Sequence, residues 1–145
     1  MTPRINIHAL QPEAYNAMFS LENYLETSTL DPLLMDLVRS RASLVNGCAF
    51  CINMHTESAR GRGEVEERLA ALSDWRASPL FSDREKAVLA VTDQVTLIAD
   101  RGLEDETYHH ARRFLSETEM AQLIMLVATI NAWNRIGIAT RLQPE

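Results

Sequence analysis

Glycine and proline are scarce, five of each in 145 residues. That leaves little room for a β architecture built on many tight turns, or for a disordered low-complexity tract. Positive charge is in deficit, with 14 Lys and Arg against 20 Asp and Glu and a formal net charge of −6. No basic stripe offers itself to phosphates, which argues for solubility and against a nucleic-acid partner. The segment after Met1 lacks a continuous apolar run of about 7–15 residues, so no secretory signal is expected. The most apolar stretch, 120–139, is interrupted by Gln122, Asn131, Asn134 and Arg135, a poor composition for a membrane span. A cytoplasmic protein without a membrane partner is therefore expected. Cysteine is scarce too, with two residues, both in one Cys-x-x-Cys. A disulfide across so short a loop removes little unfolded-chain entropy, so in a reducing compartment the pair reads as catalytic or metal-binding rather than structural.

What is present is helical patterning. The chain, 1–145, is the size of one domain and can bury a core without staples. Apolar residues at helical spacing predict helices over about 12–26, from Pro32 to about Val45, from Cys48 to about Arg60, and over 64–73. Thr29 and Asp31 are candidate caps for the second, and Asn46-Gly47 marks its end. Capping boxes at Ser82–Glu85 and Ser116–Glu119 open two further helices. The first of these is expected to run to Gly102, and the second over about 117–139, with a short helix at 104–114 between them. The last helix is apolar around much of its circumference, so it must be buried centrally or shared with another subunit. The expected fold is an all-α, single-domain helical bundle that oligomerises.

The chemistry concentrates in Asn46-Gly47-Cys48-Ala49-Phe50-Cys51-Ile52-Asn53-Met54-His55. On a helix, Cys48, Cys51 and His55 share one face, because they are separated by three and four positions. The two cysteines can approach disulfide distance with modest adjustment. Gly47 places them in the first turn of a new helix, where free N–H groups and the helix dipole favour a thiolate. His55 can take a thiol proton or stabilise the thiolate. Asp36, on the preceding helix among Leu33, Leu34, Leu37 and Val38, is the candidate acid for orienting His55. The alternative for Asp36 is a local ion pair with Arg39 or Arg41.

The run Arg41-x-Ser43-x-x-Asn46-x-Cys48-x-x-Cys51-x-x-x-His55 resembles the carboxymuconolactone decarboxylase superfamily, specifically its alkylhydroperoxidase D-like branch. Trp75, Leu80-Phe81-Ser82, Arg84-Glu85 and Asn131-Ala132-Trp133-Asn134-Arg135 extend the resemblance over about 12–142. It implies an all-helical fold assembled as a trimer or hexamer. It also implies reduction of a small hydroperoxide, with Cys51 attacking, Cys48 resolving to a disulfide and His55 relaying the proton. An external thiol donor, a lipoyl or thioredoxin-like protein, would restore the dithiol, and no cofactor or metal is implied. Two positions depart from the branch. Its relay acid is usually Glu, whereas Asp36 is one methylene shorter, and the histidine that often precedes the second cysteine is Phe50 here.

Two other readings stay open. A non-enzymatic helical module, sensing redox state or binding a partner, fits the apolar last helix and the two departures. A metal site could draw on Cys48, Cys51, His55 and Asp36, although three ligands on successive turns of one helix surround a tetrahedral ion poorly. His8, His109 and His110 have no partners at useful spacing and read as structural or exposed.

Overall fold

The computed structural model describes residues 1–144, and no strand occurs among them. A one-turn helix, α1 (Ile7–Leu10), is capped by Asn6 and was not visible as a periodic pattern. It leads into α2 (Pro12–Glu26), with Pro12 in the first turn, as the sequence predicts. For α3 (Pro32–Asn46) the cap is Asp31, whose carboxylate accepts from the Leu34 N–H, while the Thr29 hydroxyl donates to Gln122 instead. Gly47 closes α3 in the left-handed region at φ 74°, where a side chain would be strained. Helix α4 (Ala49–Gly61) follows at once.

Helix α5 (Glu66–Ala71) starts later than expected, because the Glu64 side chain accepts from the Val65 N–H and from Arg68 ahead of it. It runs on into a 3₁₀ turn, Leu72–Asp74. Both capping boxes form, at Ser82 for α6 (Asp83–Thr96) and at Ser116 for the last helix. Helix α6 does not reach Gly102. It stops at Leu97 and restarts as the single turn α7 (Ile98–Arg101), with Gly102 at φ 68°. The reversal is clamped by Gln94, whose amide donates to Glu104 and accepts from the Glu104 N–H. Then come α8 (Asp105–Arg112) and the 24-residue α9 (Glu117–Thr140).

Helix α3 is the hub, packing against α4, α6 and α9. Its Leu34 and Val38 meet Val91 of α6 and Leu123 and Val127 of α9 in one apolar cluster. Leu37 faces the other way, into a second cluster with Leu72, Trp75 and Leu89. Between these clusters Arg41 grips Asp93 with two hydrogen bonds of 2.8 and 3.1 Å, and Asp93 also accepts from the Trp75 indole. A paired, bidentate ion pair of this kind fixes α3 against α6 at defined register. Half of the most apolar window of α9 is buried inside the fold, although the helix is long and apolar enough to span a bilayer. Its Met125 and Ile138 remain exposed.

Candidate active site

The site begins with how the chain turns from α3 into α4. The Cys48 N–H donates to the Ser43 carbonyl across Gly47, so only Gly47 and Cys48 separate the end of α3 from the start of α4. Cys48 becomes the cap of α4: its Sγ accepts from the Cys51 N–H at 3.4 Å. Cys51 therefore sits in the first turn, among the N–H groups at the positive end of the helix dipole. The two residues, with Cα atoms 5.3 Å apart, are joined as a disulfide. Both are buried, in a small cluster with Ala42 and Ile130 flanked by Phe50 and Trp133.

A buried amide network holds this corner in place. Asn46 donates to the side-chain oxygens of Asn131 and Asn134, both at 2.9 Å, and Asn134 donates to the Ser43 hydroxyl. Asn131 reaches on to Thr96 of α6. Asn134 is fully buried, so every one of these bonds replaces a lost contact with water. Ser43 and Asn46 of the sequence motif thus tie α3 to α9, and Arg41 ties it to α6. Among the described residues none of the three hydrogen-bonds to a sulfur; they set the position of the turn that carries Cys48.

A cavity of about 390 Å³ opens beside Cys51 and is walled by Tyr15, Phe19, Phe50 and Trp133, with Met54 at its side. His55 lines it, one turn along α4 from Cys51, whereas Cys48 is not among its lining residues. Burial and then the nearby guanidinium of Arg39 lower the His55 pKa from 6.5 to about 4. At neutral pH the imidazole is uncharged, so it does not stabilise a thiolate as a cation, and a proton it accepts is held only weakly.

Asp36, expected to orient His55, is buried and otherwise engaged. One of its oxygens accepts from Ser58 at 2.8 Å and from Arg62 at 2.9 Å, and the other lies 3.7 Å from Arg39. Among the described residues no hydrogen bond joins Asp36 to His55. The reason is local: α4 carries Ser58 and is followed at once by Arg62, so two donors reach the carboxylate first. The acid that shares the cavity with Cys51 and His55 is Glu22 of α2. Its oxygens accept from the Trp133 indole at 3.0 Å and from Arg39 at 3.1 Å. Sequence reasoning passed over Glu22, although an acid among Met18, Phe19, Leu21 and Leu25 on one helix face was a visible signal.

Gly137 was also missed. A Cβ there would lie 3.1 Å from the Cys48 Sγ and 3.7 Å from the Cys51 Sγ, so α9 approaches the sulfurs closely only because this residue has no side chain. A lone glycine inside a long apolar helix was the signal for it. Among the described residues, no three His, Cys, Asp or Glu side chains are grouped to hold a metal ion. His8 stacks on Tyr15 at 4.5 Å between ring centroids, outside the dithiol.

Fold and site together define an all-helical protein with a buried dithiol at a helix start, opening on an apolar cavity. The sequence profile of the carboxymuconolactone decarboxylase family matches residues 12–94, and the chain belongs to that family. The uncharacterized protein YdfG of Bacillus subtilis is 37% identical over 139 residues, 96% of this chain and 95% of its own. A crystal structure of a protein of unknown function from Agrobacterium tumefaciens, described as a candidate antioxidant-defence protein AhpD, superposes with a TM-score of 0.97. It is 38% identical and the match covers 99% of both chains. A peroxidase-related protein from Silicibacter sp. TM1040 shares the fold, with a TM-score of 0.83 at 21% identity over 95% of this chain and 73% of its own.

Proposed function

We propose that this chain is a thiol-dependent hydroperoxidase built as a single helical domain, with Cys51 the attacking sulfur and Cys48 the resolving one. One observation carries the reading: Cys51 lines the cavity and Cys48 does not, while the two are close enough to be bonded. The candidate AhpD description of the Agrobacterium relative and the peroxidase-related Silicibacter structure support it.

In the reduced protein the uncharged His55 relays the Cys51 thiol proton without retaining it, and the helix start stabilises the developing thiolate. The sulfur attacks the outer oxygen of R–O–O–H, the O–O bond breaks, and Cys51 becomes a sulfenic acid. The departing alkoxide takes the proton from His55 and leaves as R–OH. Cys48 then displaces the hydroxyl of the sulfenic acid, releasing water and closing the disulfide. One hydroperoxide and two thiols thus yield one alcohol, one water and one disulfide. An external thiol donor of lipoyl or thioredoxin-like type reopens the disulfide by exchange. A cytoplasmic location and assembly of several copies belong to the same reading, and sedimentation of the purified protein measures the latter.

The test is titration of reduced protein with hydroperoxide. One equivalent should remove both free thiols, Cys51→Ser should abolish peroxide consumption, and Cys48→Ser should stop at a sulfenic acid trapped by dimedone. Peroxide consumption unchanged in Cys51→Ser, with a competent reductant present, refutes the assignment. A single oxidation that no donor can reverse points instead to a redox sensor.

A further inference from the structure

We propose that Met54 is a second oxidation site, which takes the oxygen of a hydroperoxide when the dithiol is closed and in doing so slows the dithiol. The proposal rests on the peroxidase reading only for the entry of a hydroperoxide into the cavity beside Cys51.

Met54 stands between two cavities. It lines the apolar one with Cys51 and His55. It also lines a second cavity, again of about 390 Å³, which Asp36, Arg39, Ser58 and Arg62 make polar. The helix sets this placement. Met54 and His55 follow Cys51 by three and four positions on α4, so the three side chains share one region of its surface. Met54 is 49% exposed whereas both cysteines are buried, so its thioether is open to an oxidant that enters.

With Cys48 and Cys51 joined, the cavity holds no thiolate. Among the described residues that line it, Met54 carries the one thioether, the group that a hydroperoxide oxidises directly to a sulfoxide. The sulfur lone pair attacks the outer oxygen of R–O–O–H, an S=O bond forms and the O–O bond breaks. The hydroxyl proton moves to the departing alkoxide, so one hydroperoxide and one thioether give R–OH and a sulfoxide. His55, the next residue on α4, lines the same cavity and is placed to pass that proton across.

Oxidation reverses the preference of the side chain. A sulfoxide is polar and accepts hydrogen bonds, which is costly against an apolar wall and suits the cavity on the other side. There Arg62 holds Asp36 through Nε at 2.9 Å, and among the described residues its two terminal amino groups make no hydrogen bond. The sulfoxide thus marks a protein that met hydroperoxide faster than its dithiol was restored. The apolar wall beside Cys51 stays altered until a methionine sulfoxide reductase acts.

The experiment treats the disulfide form of the full chain with tert-butyl hydroperoxide and follows each methionine by peptide mass spectrometry. Met1, 84% exposed, and Met125, 38% exposed, bracket Met54 in accessibility and line neither cavity, so they are internal references. Met54 should oxidise at least about fivefold faster than either, because a peroxide held beside the sulfur acts at raised effective concentration. In concentrated urea, where the cavity is gone, the three should react alike. Met54→Leu, close in volume and unable to form a sulfoxide, gives the functional arm. After treatment, dithiothreitol reopens the disulfide and leaves sulfoxides in place. The wild-type dithiol should then react with hydroperoxide several-fold more slowly than before treatment, whereas Met54→Leu should lose nothing against its own untreated rate. A Met54 rate in the folded protein no higher than that of Met1 overturns the proposal, as does an equal loss of dithiol reactivity in Met54→Leu. Neither result touches the peroxidase reading, which falls only if the reduced dithiol itself fails to react with hydroperoxide.

Discussion

Acidification from pH 7 to pH 5 is the perturbation to which His55 should respond most strongly. In an unfolded chain its imidazole titrates near 6.5, whereas burial, followed by the charge of Arg39, holds it at about 4 in the folded protein. Between those two values the unfolded state binds more protons than the folded state, so stability falls as pH falls. His55 costs nothing above the unfolded value, and its penalty is complete once the folded value is passed. The whole window is worth at most about 3 kcal/mol, of which about 2 kcal/mol is lost between pH 7 and pH 5. Other groups titrate there too, so the comparison needs a reference that shares them. His55→Gln supplies it, because glutamine carries no proton to gain. Urea unfolding of both proteins in the disulfide form, at each pH, gives four free energies. The wild type should lose about 2 kcal/mol more than the variant on acidification. Equal losses, or an imidazole that titrates near 6.5 by proton NMR, would refute the lowering of the His55 pKa by burial and by Arg39.

Three substitutions probe the surroundings of the dithiol. Asp36→Ala should cost about 2–3 kcal/mol in urea unfolding, because it strips Arg62, Ser58 and Arg39 of a buried acceptor, and a stability equal to wild type would mean those contacts hold nothing together. Gly137→Val should cost about 1–3 kcal/mol and slow disulfide closure in a thiol-release assay, since its Cβ alone would lie 3.1 Å from the Cys48 sulfur. Asn134→Leu removes a fully buried amide and leaves Asn46 and Ser43 each one partner short. Its thermal unfolding, followed by circular dichroism, should fall by about 5–10 °C, from a loss of about 2 kcal/mol.

The parts of the molecule that were legible in the sequence are those decided within a few residues. Asp31 before Pro32, Ser82 with Glu85 and Ser116 with Glu119 are complete start signals, and each helix begins there. Gly47 followed by Cys48 placed the sulfurs at a helix start, because a left-handed residue closing one helix leaves the next residue free to cap another. The early end of α6 was not legible, since it depends on Gln94 meeting Glu104 after the chain has turned back. The one-turn α1 carries no period to read.

The acid of the site shows why such a limit exists. Asp36 had the right spacing from Cys48 and an apolar neighbourhood that demanded a partner, and both facts are local. Which partner it takes is decided by where α4 ends: Gly61 and Arg62 bring a guanidinium to 2.9 Å of the carboxylate, and Ser58 arrives one turn earlier at 2.8 Å. Glu22 reaches the cavity through a longer chain of causes. Helix α2 must pack on α9 for the Trp133 indole to meet its carboxylate, and Arg39 must extend from α3 to hold the other oxygen. Because Arg39 stands between Glu22 and Asp36, the two carboxylates share one cation, and that same cation helps keep His55 uncharged. The electrostatics of the dithiol pocket is therefore a property of α2, α3 and α4 acting together, and no single helix contains enough of it to be read from its own residues.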